Sequence, residues 1–479
     1  MSKLLFYTLI LWLFCINIAS SQIPPLTPSS RYVIPNSDNL LENIKKTHEI
    51  KKRNLPVSNR QAFEKIYQQH FDTLTFHLNN GHYLFDDKIY PYYKQIADHI
   101  ISTNPMLADH KVHLLISRRA DPNASSMGYS IINLHIGLSR RFENESQAAF
   151  VLCHELAHHY LNHIDQSIAQ YVESIYGRPT QQQLKKIARS DNQKVRKGID
   201  LLRHTVYAMN NNSRSHEREA DSLALLFMKN TVYDEKEALT ALALLDSVDR
   251  EKYRYELPLK QAFDSPEYPF KDYWLKPSQL MQIEDKEAYW NEDSLKTHPD
   301  CTDRIKALAT QINDRNNKKQ FVQPPQHFQE MVSQSDIELI ERELYFRRYG
   351  RCLYESLLLL SQQPHNQYLQ ATIGQCLYGI YQAQKNHQLS KYVDLPAPRD
   401  SKEYRQLLDF LHNLRLKEIA QIGYYFLKHN YTSEVSEDFL YAFAALSKVM
   451  EVPEQFSNLK NDYLLKYPQG RFVQQIKQL

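Results

Sequence analysis

Along most of this chain apolar positions recur at helical spacing. From Gln61 to Leu78 and from Tyr90 to Ile101 they fall three and four residues apart, which predicts amphipathic helices, and the run Val112 to Ile116 that follows reads as a strand. A near-continuous apolar stretch from Ala148 to Leu152, with Tyr160 and Leu161 beyond, predicts a buried helix. Asn144 and Gln147 form a capping box at its start. A second amphipathic helix begins at Ser215 and continues through Leu223, Leu225, Leu226, Phe227 and Met228. Between the two lies a long insertion, 166–212, expected to be helical and to protrude from the core.

Periodicity is lost over 248–297, a segment rich in aromatic residues that include Trp274 and Trp290. It reads either as a lid over a cleft or as a packed surface loop. A polar linker, 313–329, contains Pro324-Pro325 and leads into a second domain, 330–479, where helical runs such as 333–349, 351–361, 370–384 and 438–449 suggest helical hairpins. At the other end, Lys3 precedes an apolar run from Leu4 to Ala19 that closes on Ala19-Ser20-Ser21. This pattern predicts a signal peptide over 1–21 and an exported chain. Residues 22–58, with Pro24, Pro25, Pro28, Pro35 and Pro56, read as a leader and linker. No later stretch reaches membrane-spanning length.

Composition changes the picture in three ways. A chain of 479 residues with 42% hydrophobic residues and only 10 glycines is a helix-rich globular protein of more than one domain. A net charge of +3 leaves no nucleic-acid footprint, because the basic residues of the insertion, Lys185 to Lys197, are interleaved with acids and carry no aromatic stacking pattern. Cys153, Cys301, Cys352 and Cys376 follow the signal segment, and disulfides or buried free thiols are the two alternatives for them.

The chemistry concentrates in His154-Glu155-Leu156-Ala157-His158. Two imidazoles four residues apart share one helix face, where they suit Zn²⁺, and the carboxylate after the first is placed to take a proton from water. A two-histidine site needs a third ligand. Glu217 and Asp221, four apart on the second helix, can supply a ligand and an outer carboxylate that fixes a histidine tautomer. The alternative is an ordinary charged helical turn. Glu219 is expected to point into solvent, and His159, His163, His204 and His216 read as background.

These residues, with Thr297-His298-Pro299 and Asp303-Arg304-Ile305 in the same order, resemble the gluzincin metallopeptidases of the HtpX and CAAX-prenyl protease type, family forty-eight of the metallopeptidases. The resemblance covers about residues 90 to 310. In layout the whole chain is similar to the soluble periplasmic BepA-like members. It implies a mainly α (α+β) fold, in which a zincin-like metalloprotease domain, 59–312, carries a small antiparallel β element and a tetratricopeptide-like α-helical domain follows. It implies one Zn²⁺ on His154, His158 and Glu217, with Glu155 as general base and Asp221 behind the ligands. Two roles stay open for His298: a fourth zinc ligand that keeps the enzyme latent, or a group that stabilises the oxyanion or protonates the leaving amine. Asp121-Pro122-Asn123-Ala124 and Gly128 are similar to the family's strand pair beside the cleft, so Asn123, Ala124 and Gly128 are expected to line up substrate backbone.

The function implied is an exported, periplasmic zinc endopeptidase that cleaves unfolded or misfolded envelope proteins in quality control. Its C-terminal helices would dock a client or envelope assembly machinery. A chaperone or assembly factor with a latent metal site gated by His298 is the alternative.

Overall fold

The computed structural model describes residues 27–28, 38–86, 88–189, 194–247, 256–277, 301–312, 325–397 and 400–479. The expected signal peptide, His298 with its neighbours and the linker residues 313–324 lie outside the described residues.

The expected leader and linker contains a helix, α1 (Asp38–Arg53), that packs onto α2 (Arg60–Asn79). Its prolines misled the reading because Pro35 and Pro56 bracket the helix without interrupting it. Leu40, Ile44 and His48 repeat every fourth residue and face inward, with Ile44 fully buried.

β1 (Tyr83–Leu84), α3 (Ile89–Thr103), β2 (His113–Ser117), β3 (Ala124–Ser126) and β4 (Ile131–His135) come next and build a four-stranded sheet in the order β1-β2-β4-β3. The sheet is mixed, which corrects the expected antiparallel element: β2 and β4 run parallel, with His113 opposite Ile131 and Ser117 opposite His135. The chain leaves β2, forms β3, and turns back as a hairpin into β4, so β3 ends up antiparallel on β4's far side. Gly128, Tyr129 and Ser130 make that turn with φ of 66°, 50° and 57°. β4 is buried at every residue, consistent with its interior place and its apolar sequence.

The sheet packs against α4 (Glu145–Tyr160), followed by α5 (His163–Tyr176), α6 (Arg178–Ala188), α7 (Lys194–Lys229), α8 (Glu237–Asp246) and α9 (Cys301–Ala309). The described residues of the insertion are helical as expected, and its last arm is continuous with the helix that carries Glu217, which starts at Lys194 and not at the expected Ser215. Asn144 caps α4 by accepting the Gln147 N–H at 3.0 Å, while the Gln147 side chain reaches back to the Glu143 N–H at 2.9 Å. The box therefore closes one residue earlier than expected.

The C-terminal part is wholly helical: α10 (Pro325–Tyr345), α11 (Tyr349–Leu360), α12 (Gln367–Lys385), α13 (Lys402–Asn413), α14 (Leu416–Asn430), α15 (Glu437–Val449), α16 (Pro453–Lys466) and a last short helix. α10 begins inside the expected linker, with Pro325 as its first residue, where a missing N–H costs nothing. It serves both cores. Phe328, Met331 and Val332 join the core around α4, and Ile337 and Ile340 join the core of the C-terminal helices. Buried ion pairs add to this seam: Arg140 donates to Asp336 at 2.5 Å and to Glu355 at 2.8 Å, and Arg118 donates to Glu338 at 2.8 Å.

Residues 256–277, the described part of the expected lid, are packed into the C-terminal core through Leu257, Leu259, Phe263 and Trp274. Trp274 is fully buried against Phe270 and Phe410, and its carbonyl accepts from Asn413 at 3.1 Å. The loop reading holds for this stretch, because an indole buried in a helical bundle ties the segment down. Cys153, Cys301, Cys352 and Cys376 are all buried free thiols. Among the described residues no helix is long and apolar enough to cross a membrane.

Candidate metal centre and its outer residues

α4 is buried on nearly every face up to Ala157, so the side chains it offers are fixed by packing before any ligand is considered. His154 and His158 lie one turn apart, and their Nε2 atoms approach to 3.0 Å. α7 packs on α4 and brings in Glu217, whose Oε2 lies 3.4 Å from His154 Nε2 and whose Oε1 lies 3.3 Å from His158 Nε2. A tetrahedral zinc with bonds of about 2.0–2.1 Å requires donors roughly 3.3 Å apart. The separation of the two imidazole nitrogens, and the distance from each to its nearer Glu217 oxygen, lie close to that requirement, and two imidazoles with one carboxylate are a donor set found in hydrolytic zinc sites. His154, Glu155 and Glu217 are buried, while His158 keeps 12% of its side chain exposed and so marks the side open to solvent.

Behind the ligands stands a charged pair. Asp221, one turn after Glu217, places Oδ1 3.0 Å from His154 Nδ1, which holds the proton there and leaves Nε2 with its lone pair. Arg304 of α9 donates two 2.7 Å hydrogen bonds to Asp221 and lies 2.8 Å from Glu217 Oε2. Burial pulls the His154 imidazole down, but Asp221 and Glu217 outweigh it and push the ring up to about 10, so without a cation Nε2 carries a second proton that a metal ion would displace. Asp221 is also raised by burial, yet Arg304 and His154 bring it below the usual carboxylate range. The two carboxylates thus make a pocket that favours positive charge between the histidines, as a metal site must.

Residues 91–312 match Peptidase family M48. The match supports the M48 metallopeptidase family, whose members are zinc-dependent, and so implies zinc metallopeptidase activity. The His154, His158 and Glu217 group is compatible with that chemistry. The match ends before the C-terminal helices. No curated protein matches the chain.

Within the M48 segment, two residues had no role from sequence. Arg304 was visible only as part of the Asp303-Arg304-Ile305 resemblance, and its partners lie 83 and 87 positions upstream, beyond any local periodicity. His163 reads as background only if the helical phase of α4 extends to it. The helix stops at Tyr160 and Asn162 adopts a left-handed conformation, φ 56° and ψ 37°, so that phase does not apply. The turn carries His163 back under the site, where its Nδ1 lies 2.9 Å from His158 Nδ1. Burial, then His158 and His216, pull His163 down to about 4, and the ring is neutral at pH 7. His216 stacks on it at 4.1 Å, and Glu219, exposed as expected, still reaches within 3.6 Å of His163 Nε2.

Of the expected substrate residues, Ala124 lies on β3 and lines a small cavity with His154, Glu155 and Arg304. Asn123 immediately precedes β3, its carbonyl accepting from the His135 N–H at 3.0 Å. Gly128 falls in the hairpin turn, facing Ile164 and His70, and not on the strand; its positive φ explains the glycine without a substrate role. His298 lies outside the described residues.

Proposed function

We propose that this M48 chain is an exported zinc endopeptidase that cleaves unfolded or misfolded polypeptide in the cell envelope. The observation that carries the reading is the convergence of His154, His158 and Glu217 at zinc-donor spacing, with Glu155 following the first ligand on a buried helix. When bound, zinc supplies Lewis acidity that polarises a carbonyl and acidifies water.

The protein's own groups do the rest. Glu155 accepts the proton of the attacking water and returns it to the leaving nitrogen. Asp221 keeps the His154 proton on Nδ1, and Arg304 holds Asp221 and Glu217 in place through its planar fork. Substrate lies extended beside β3, whose Ala124 lines the same cavity as Glu155. Extended backbone is offered by unfolded segments, which is why the proposed clients are misfolded proteins. His298 acts on this site either as a gate or on the tetrahedral intermediate, and the C-terminal helices, read as tetratricopeptide-like, dock the client or an assembly partner. Export and a periplasmic location rest on the signal-like N-terminus.

The test is cleavage of an unfolded protein by the zinc-loaded chain, by Glu155→Gln and by His298→Ala. Glu155→Gln is expected to keep zinc and lose activity by roughly 10²–10⁴-fold. Activity that survives in Glu155→Gln removes the proposed mechanism. Activity that appears only in His298→Ala makes that histidine the gate, and silence in all three zinc-loaded proteins turns the reading to a chaperone or assembly factor.

A further inference from the structure

The two ligand histidines are held from behind by different chemistry. His154 leans on a carboxylate, Asp221, which is itself clamped by a guanidinium. His158 leans on another imidazole, with Nδ1 to Nδ1 at 2.9 Å. A neutral imidazole has one N–H donor and one bare acceptor nitrogen. His158 Nε2 points into the ligand group, 3.0 Å from His154 Nε2 and 3.3 Å from Glu217 Oε1, so its lone pair belongs there and its proton on Nδ1. His163 Nδ1 must then accept that proton's hydrogen bond, which puts the His163 proton on Nε2, the nitrogen that faces Glu219 Oε2 at 3.6 Å. Each role in the row fixes the next.

We propose that His163 is a positioning residue for the metal site, setting the tautomer and ring angle of His158 as Asp221 does for His154. The proposal rests on the metal-site reading given above. His216 holds His163 in turn by stacking with rings 10° from parallel, and the Glu219 carboxylate faces His163 Nε2 from 3.6 Å. The left-handed Asn162 is what makes the arrangement reachable, because it ends α4 and starts α5 on His163. Outer partners of metal-bound histidines are typically worth about 10–100-fold in metal affinity.

The experiment measures zinc affinity by competition with a chromophoric chelator, and the visible spectrum of the cobalt-loaded protein, for the full chain and its variants. Asn places a carbonyl oxygen near the position of His163 Nδ1, whereas Leu fills the space with no acceptor. His163→Leu is expected to weaken zinc by about 10–100-fold and shift the cobalt bands, while His163→Asn stays within a few-fold of the parent. Equal losses in both variants would mean packing and not an acceptor, and would overturn the proposal, as would parent-like affinity in His163→Leu. Glu219→Ala, at an exposed position that folding does not need, is expected to weaken zinc in the same direction by a smaller factor. Unchanged affinity there removes Glu219 from the row. A parent that binds zinc no better than His154→Ala or Glu217→Ala overturns the metal-site reading and this proposal together, an outcome distinct from failure of His163 alone.

Discussion

Arg304 grips Asp221 with two parallel 2.7 Å hydrogen bonds across 83 positions of sequence, and both residues are buried. The same guanidinium reaches Glu217, so one side chain from α9 fixes two carboxylates of α7 at the candidate metal centre. Removing it takes the guanidinium away from both buried carboxylates and leaves the His154 ring beside them. Arg304→Met is expected to cost about 3–5 kcal/mol in urea unfolding of the metal-free protein and to weaken zinc. Arg304→Lys, a point charge without the fork, should recover little of either. A metal-free Arg304→Met as stable as the parent would contradict the reading.

The seam between the two cores depends on a second buried arginine. Arg140 bridges Asp336 of α10 and Glu355 of α11, and Arg140→Ala removes that bridge while Arg351 stays 3.4 Å from Glu355. Calorimetry should show the C-terminal helices and the matched segment, 91–312, melting closer to independently in this variant than in the parent. A single transition at the parent midpoint would show that the apolar contacts of α10 suffice.

Gly137 sits where backbone meets backbone. A Cβ there would stand 2.0 Å from the Ala120 carbonyl oxygen, and neither chain has a flexible side chain to move aside. Gly137→Ala is therefore expected to destabilise by about 1–3 kcal/mol, read as a lowered urea midpoint with unchanged slope.

The aromatic segment 256–277 is pinned to α14 at Glu418, which accepts from Tyr273 and, at 3.1 Å, from Lys271. Burial raises the Glu418 carboxyl, but Tyr273, the Arg415 N–H and Lys271 outweigh it and lower it below its ordinary 4.5. A carboxyl depressed in the folded state stabilises fully above its unfolded pKa and loses that contribution as pH falls through the folded one. Acidification below about 4.5 should thus loosen this anchor, seen as faster proteolysis near 256–277. Glu418→Gln should show the faster cutting already at pH 7, with less further change on acidification.

Much of the fold was legible because local patterns carry it. The helices of α2, α3, α12 and α15 lie within a few residues of where apolar spacing puts them, and the His154 and His158 pair needs only a helix to share a face. α1 is hidden in a polar, proline-flanked stretch whose composition masks the four-residue repeat of Leu40, Ile44 and His48. The sheet's parallel pair and the fate of Trp274 depend on which distant surface a segment meets, and no window of sequence contains that surface.

By itself, then, the sequence determined the helical content, the two histidines of the candidate metal centre and the carboxylates on the partner helix, since each follows from spacing along one element. Tertiary structure alone decided that Arg304 clamps those carboxylates, that a left-handed Asn162 returns His163 to the back of His158, and that the aromatic segment anchors in the C-terminal core. The physical reason is that periodicity sets which face a side chain occupies only while a helix lasts. Past its end, packing and charge pairing between separate elements choose the neighbours.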